Sequence, residues 1–175
     1  MVPETRKKVG QAAPDQSDIE LEQAKWDSYY ASLPLVDEDA ATRQFNDAFA
    51  GMITELLPSG GSVLEAGCGG GWQSLAIARS GVHRVSLLDF SQEALNYAKR
   101  LFDREHLRAD FVQGDVFAPA NGEYDLVFNA GVLEHYTFDE QVAFIRAMAQ
   151  RSGRFVLAMV PNRLCYWYWL WRIQR

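Results

Sequence analysis

The 175-residue chain has few cysteines, no excess of positive charge and no long apolar run. Its two cysteines, Cys68 and Cys165, are far apart and have no histidine at metal-ligand spacing. This argues against a disulfide framework or a zinc site and favours a reducing compartment, which we take to be the cytoplasm. The net charge of −6 provides no basic stripe for phosphates, so nucleic acid is not an expected partner.

Membrane insertion is not expected either. The longest apolar run, residues 164–171, is too short to cross a bilayer, and no apolar run follows the polar N-terminal residues as it would in a signal peptide. Residues 1–17 lack periodicity and are predicted to form a disordered leader. Residues 18–39 are interpreted as a helical lid or cap, with a helix over 18–32. Three aromatic side chains at helical spacing leave open whether it covers a ligand or packs on the domain: Trp26, Tyr29 and Tyr30.

Residues 40–162 alternate between helical and strand patterns. The first helix, over residues 40–57, is predicted to bury one apolar face, made of Phe45, Ala48, Phe49, Met52, Ile53, Leu56 and Leu57. Five short apolar strands follow, at residues 62–66, 84–89, 109–113, 124–129 and 154–160. Short strands alternating with amphipathic helices predict an α/β fold, a Rossmann-like doubly wound and mostly parallel sheet.

Three further helices are predicted between these strands. One covers residues 72–80. The next is capped by Ser91 and carries an apolar stripe of Ala94, Leu95, Ala98, Leu101 and Phe102. The last begins with a capping box from Thr137 to Glu140, and its predicted buried face consists of Phe138, Val142, Ile145 and Ala149.

A glycine-rich turn follows the first strand. Glycines let the backbone turn sharply and let a ligand lie close to it. A dinucleotide-binding fingerprint needs a small residue where Trp72 stands, or a Gly or Ala where Ser74 stands, so it fails in both registers. The sequence of this turn instead fits a pattern of an acid followed by glycines at alternate positions, at residues 65, 67, 69 and 71. The candidate cofactor-binding residues in the turn are Glu65, Gly67, Cys68, Gly69 and Gly71.

Polar residues also follow the next strands. Asp89 ends the second strand, where an acid can accept hydrogen bonds from both hydroxyls of a ribose, and Phe90 can lie against an adenine ring. Asp115 is suited to an adenine amino group, although a Gly-Asp pair is also common in turns. Asp89 could alternatively be an acid that stabilises the following helix. The other candidates for cofactor binding are Val116 and Asn129.

These segments, in this order and spacing, resemble the class I S-adenosylmethionine-dependent methyltransferases. The resemblance covers about residues 40–162. It implies S-adenosylmethionine as the cofactor and direct displacement of its methyl group by a small-molecule acceptor. Residues 132–135 resemble the O-methyltransferases of ubiquinone synthesis, some of which are thought to hold a metal with Glu-x-x-Glu-His. Because Gly131 stands at the first Glu position, no metal site is predicted.

His135 is the candidate general base, since the resemblance puts it on the rim of the site; a structural role is the alternative. Trp72 walls the methionine moiety or packs in the core. Two other functions stay open: an inactive binding module with this fold, and a nicotinamide-dependent oxidoreductase, which Trp72 already disfavours.

The resemblance also implies seven strands, of which five are present. The C-terminal strand hairpin is therefore expected to be missing, either because the chain is a fragment or because it is a truncated form closed by a partner chain. The aromatic segment 163–175 is interpreted as part of an acceptor pocket, or alternatively as a peripheral membrane contact. We favour the pocket. The oligomeric state is not predicted.

Overall fold

The computed structural model describes residues 16–81, 83–119 and 122–161. The aromatic segment 163–175, Cys165 and most of the leader lie outside the described residues. The strands are β1 (Gly61–Ala66), β2 (His83–Asp89), β3 (Asp110–Gln113), β4 (Tyr124–Ala130) and β5 (Ser152–Met159). The helices are α1 (Gln16–Ser32), α2 (Ala40–Leu56), α3 (Trp72–Arg79), α4 (Gln92–Arg104) and α5 (Phe138–Ala149).

All five strands form one parallel sheet in the order β3-β2-β1-β4-β5. The predicted α/β fold with a doubly wound parallel sheet is therefore confirmed. The chain runs outward from β1 to β3 and then returns to place β4 on the other side of β1. This reversal makes the carboxyl ends of β1 and β4 a topological switch point, where open α/β sheets bind their ligands.

Helices cover both faces of the sheet, and successive strand residues face opposite sides. Val63, Leu126 and Phe128 pack in the core beneath α2, α3 and α4. Leu64 and Val127 pack in a second core that includes α5. Because both faces are buried, the central strands read as continuous apolar runs in the sequence.

The structure confirms three of the predicted helix features. Ser91 caps α4, since its hydroxyl accepts a hydrogen bond from the backbone N–H of Ala94. The capping box at the start of α5 is present, with Glu140 accepting from the backbone N–H of Thr137 at 2.8 Å. The predicted stripe of α4 is buried: Ala94, Leu95, Ala98, Leu101 and Phe102.

The predicted buried face of α2 is partly wrong. Phe49 and Ile53 are buried as expected, but Phe45 is 52 % exposed and Met52 is 38 % exposed. Asn46 is fully buried instead, because it has polar partners inside the protein. A buried polar side chain with partners is stable, so an apolar pattern alone did not fix the rotation of this helix.

The predicted buried face of α5 is wrong. Phe138 is 77 % exposed and Ile145 is also exposed, whereas the buried residues are Phe144, Ala147 and Met148. The ring of Phe144 lies 5.7 Å from that of Phe117 and 5.6 Å from that of Tyr136. This aromatic contact with neighbouring loops sets the rotation of the helix, and it joins residues far apart in the sequence.

No helix within the described ranges is both long and apolar enough to cross a bilayer.

Candidate functional site

A cavity of about 320 Å³ lies at the carboxyl edge of the sheet, at the switch point. Its volume is within the range of about 300–1,000 Å³ that is typical of small-molecule sites. The structure brings most of the predicted site residues into its wall: Gly67, Cys68, Gly69, Gly71, Asp89, Phe90, Asp115, Val116 and His135.

The glycine turn between β1 and α3 forms the floor of this cavity. The backbone N–H groups of Gly67 and Cys68 both donate to the carbonyl of Leu88, at 2.8 and 3.1 Å, which ties the turn to β2. Gly69 and Gly71 have φ values of +50° and +72°, a region that disfavours other residues. A Cβ at Gly69 would meet the hydroxyl of Tyr30, so this backbone can be approached closely only because it lacks one.

Asp89 lies at the end of β2 and is only 6 % exposed. Its carboxylate accepts hydrogen bonds from the backbone N–H groups of Gly69 at 2.8 Å and Ser91 at 2.9 Å. Burial raises the pKa of Asp89 to about 6, and repulsion from Asp27 adds to the effect, while the two N–H donors act in the opposite direction. Each carboxylate oxygen holds one N–H donor, and a second lone pair on each can accept from a ligand hydroxyl.

Asp115 follows β3, and its position is compatible with both roles that were considered from the sequence. One carboxylate oxygen accepts from the backbone N–H of Phe117 at 2.9 Å, which is a turn interaction. The same residue lines the cavity together with Phe90 and Val116, so an acid and two apolar side chains share this end. That combination suits a flat ring with an amino group.

Glu65 and Asn129 lie behind the cavity wall and do not line it. Glu65 accepts from the backbone N–H of Ser74 at 3.3 Å, and complete burial raises its pKa to about 8. The Asn129 amide N–H donates to Sδ of Met148 at 3.5 Å, and its Oδ1 has no hydrogen-bond partner among the described residues. Direct binding of a cofactor by these two residues stays a prediction, because a strand-end position does not determine which way a side chain points.

Helix α1 supplies wall residues that the sequence did not assign to the site: Ile19, Glu22, Trp26 and Tyr30. The ring of Trp26 stacks on Tyr30 at 6.2 Å and meets His135 edge-on at 5.7 Å. The aromatic spacing in residues 18–32 was the available signal. Helix α1 both packs on the domain and borders the cavity, so the position of the helix agrees with both interpretations, and its role as a lid stays a prediction.

His135 lies in a short 3-10 helix, Leu133–His135, that follows β4. Trp72 lines the cavity and also packs against the main core. Gly131 has a φ of +72°, so glycine suits the position where the resemblance has a metal-ligating Glu. Within the described residues, no group of three or more His, Cys, Asp or Glu side chains could hold a metal ion.

Sequence comparison connects this geometry to known proteins. Residues 63–152 match the family model described as a methyltransferase domain. The chain is 29 % identical over 151 residues to the ubiquinone biosynthesis O-methyltransferase of Aromatoleum aromaticum, covering 85 % of this chain and 62 % of that protein. It is 25 % identical over 156 residues to the magnesium-protoporphyrin O-methyltransferase of Rhodobacter capsulatus, covering 82 % of this chain and 69 % of that protein. The chain thus spans less than two thirds of the first relative's length.

The fold is also similar to that of a known methyltransferase. The crystal structure of magnesium protoporphyrin IX methyltransferase from Synechocystis PCC 6803 with bound S-adenosylmethionine superimposes with a TM-score of 0.69 at 23 % identity. The match covers 88 % of this chain and 80 % of that chain. The matched family model covers half of the chain and includes the glycine turn, Asp89 and Asp115. The chain therefore belongs to the class I S-adenosylmethionine-dependent methyltransferases.

Proposed function

We propose that the cavity binds S-adenosylmethionine and that the protein transfers its methyl group to a small molecule. The observation that carries this proposal is the meeting of the glycine turn, Asp89 and Asp115 in one cavity at the switch point. In the proposed arrangement Asp89 accepts from the ribose hydroxyls, and Asp115 accepts from the adenine amino group. Phe90 and Val116 pack against the adenine ring.

The charge of the cavity supports a cationic ligand. Its charged wall residues are the acids Glu22, Asp89 and Asp115, and no Lys or Arg of the described residues lines it. S-adenosylmethionine carries positive charge on its sulfonium and ammonium groups, which acids attract. A nicotinamide dinucleotide would bring a doubly negative pyrophosphate to the same acids, so its binding is disfavoured.

The protein's contribution to the reaction is positioning and exclusion of water. When bound, S-adenosylmethionine supplies a methyl group activated by the sulfonium. Trp26 and Tyr30 narrow the cavity on the α1 side, and Trp72 walls the methionine end. Because both relatives are named as O-methyltransferases, we propose an oxygen acceptor.

An acceptor hydroxyl must lose its proton, and His135 on the cavity wall is the proposed base. We expect His135→Ala to slow turnover of such an acceptor while cofactor affinity stays the same. An unchanged rate would remove this role from His135.

The test of the proposed function is a calorimetric titration of the unmodified protein with S-adenosylhomocysteine and, separately, with NADH. We expect S-adenosylhomocysteine to bind and NADH not to bind at the same protein concentration. Binding of NADH without binding of S-adenosylhomocysteine would reject the proposal.

A further inference from the structure

A chain of hydrogen bonds leads from the surface of the domain to the cavity, and its direction is fixed at one end. The guanidinium of Arg79 donates to Oε2 of Glu38 at 2.8 Å and to Oε2 of Glu105 at 2.7 Å. Arginine is permanently protonated and only donates, so Glu38 is held as an acceptor carboxylate. The Glu38 side chain is only 4 % exposed, which makes its pairing well defined.

The next residue along these hydrogen bonds, Asn46, is fully buried on α2. Its amide lies 2.6 Å from Oε1 of Glu38, and an ionised carboxylate only accepts. The Asn46 atom at this contact is therefore the donor Nδ2. The opposite atom, Oδ1, faces Gln73 at 3.2 Å.

The same reasoning determines the orientation of the Gln73 side-chain amide. Because Asn46 presents an oxygen, the Gln73 atom that meets it is the donor Nε2. The other amide atom of Gln73, Oε1, remains as an acceptor. Gln73 lines the cavity, and among the described residues only Asn46 is hydrogen-bonded to its amide. The orientation of a side-chain amide is commonly ambiguous. Here it is determined by the cation of Arg79, which is linked to Gln73 by hydrogen bonds through Glu38 and Asn46.

We infer that Gln73 is a binding residue that accepts a hydrogen bond from the ammonium group of the cofactor. This inference rests on the proposed function. Asp115, Asp89 and the glycine turn would hold the adenine, the ribose and the sulfur in the order β3, β2, β1. Gln73 lies beyond that turn on α3, at the end left for the amino-acid part.

The choice of the ammonium follows from the fixed polarity. The amino-acid end carries two charged groups, a carboxylate that only accepts and an ammonium that only donates. Of these two groups, Oε1 of Gln73 can pair with the ammonium alone, whereas the carboxylate could pair only with the second N–H of Nε2. Arg79, Glu38 and Asn46 act as positioning residues, since they hold the amide without lining the cavity.

The experiment compares two proteins with two ligands. The variant Gln73→Met keeps the length of the side chain and removes the acceptor. The ligands are S-adenosylhomocysteine and its deaminated analogue, which retains the carboxylate. Calorimetry should show that the variant binds S-adenosylhomocysteine about tenfold more weakly, as expected for one lost hydrogen bond to a charged group, and binds the analogue as the unmodified protein does.

Gln92→Met is the matched control, because Gln92 is exposed at the start of α4 and is not among the residues that line this cavity. It should change neither affinity. Equal weakening of both ligands by Gln73→Met would indicate pairing with the carboxylate or a change in cavity shape and would overturn the inference, as would no weakening at all.

If Gln73→Met does not fold, the unmodified protein still provides a test, since it should prefer S-adenosylhomocysteine to the deaminated analogue. No preference would overturn the inference. Failure of the unmodified protein to bind S-adenosylhomocysteine is a separate result, because it rejects the proposed function itself.

Discussion

Gly71 and Gly81 have nearly the same φ angle but very different surroundings. Their φ values are +72° and +68°. A Cβ at Gly71 would lie 2.6 Å from Cδ2 of Leu87 and 3.0 Å from Cβ of Ala98, whereas a Cβ at Gly81 would meet nothing within 4 Å. Gly71 is therefore required both by its conformation and by the close packing of α3 and α4 on β2.

This difference predicts the result of two alanine substitutions. Gly81→Ala should cost about 1–2 kcal/mol of unfolding free energy, because only the left-handed conformation is penalised. Gly71→Ala should cost about 1–3 kcal/mol more, because the added methyl group overpacks the core. Urea denaturation of the two variants measures the difference, and equal losses would contradict it.

At the level of single residues, the sequence predicted which positions approach the site better than it predicted their orientation. The glycine turn, Asp89 and Asp115 were found because turn chemistry and strand ends are local features. Glu65 and Asn129 also lie at strand ends, but they lie behind the cavity wall. The sequence did not single out Gln73, because its proposed role depends on Asn46, which lies on another helix.

Helix α1 is attached to the domain by a shared helix cap. One carboxylate oxygen of Asp27 accepts from the hydroxyl of Ser91 at 2.6 Å and from the backbone N–H of Glu93 at 3.2 Å. An acid at the N-terminus of α4 is favoured by the helix dipole as well. We propose that this attachment holds Trp26 and Tyr30 over the cavity, so that α1 acts as its lid.

Removing this cap should loosen the lid selectively. Asp27→Ala is expected to increase amide hydrogen exchange in α1 by about tenfold while exchange in the sheet stays the same, because only the docking of the helix is weakened. Glu20→Ala is the control, since Glu20 is exposed on the same helix. Equal protection of α1 in both variants would show that Asp27 does not hold it.

The helices also show where sequence patterns fall short at the scale of an element. The existence of α2 and α5 and the capping box were predicted correctly, but the buried faces were assigned partly or wholly wrongly. In α2 a buried polar residue, Asn46, occupies a core position. In α5 the burial of Phe144 depends on rings from two loops. Both are tertiary contacts that helical periodicity cannot reveal.

For the whole molecule, the alternation of strands and helices was sufficient to predict a parallel sheet, because parallel strands require crossovers. The strand order then determines where the ligand binds, since the reversal beside β1 gathers the carboxyl ends that carry Asp89 and the glycine turn. The cavity that results is acidic, with Glu22 added by α1. The electrostatics of the site therefore depend on the complete assembly of the described elements.

The acidic cavity makes ligand binding depend on pH, because the carboxyl group of Asp89 titrates with a raised pKa. Burial raises its pKa to about 6 in the folded protein, so its carboxylate form is disfavoured while the cavity is empty. The contribution of Asp89 to stability is greatest below its ordinary pKa and is lost as the pH rises through about 6. Hydroxyl groups of a bound ribose favour the carboxylate, so the affinity for the ligand should rise over the same pH range.

The affinity for S-adenosylhomocysteine, measured by calorimetry from pH 5 to pH 8, tests the proposed cofactor site most directly. For the unmodified protein we expect the affinity to rise by about tenfold between pH 5 and pH 7 and then to level off. Asp89→Asn should bind about tenfold or more weakly at pH 7.5 and lack this rise. The same affinity and the same pH dependence in both proteins would contradict the placement of the ribose at Asp89.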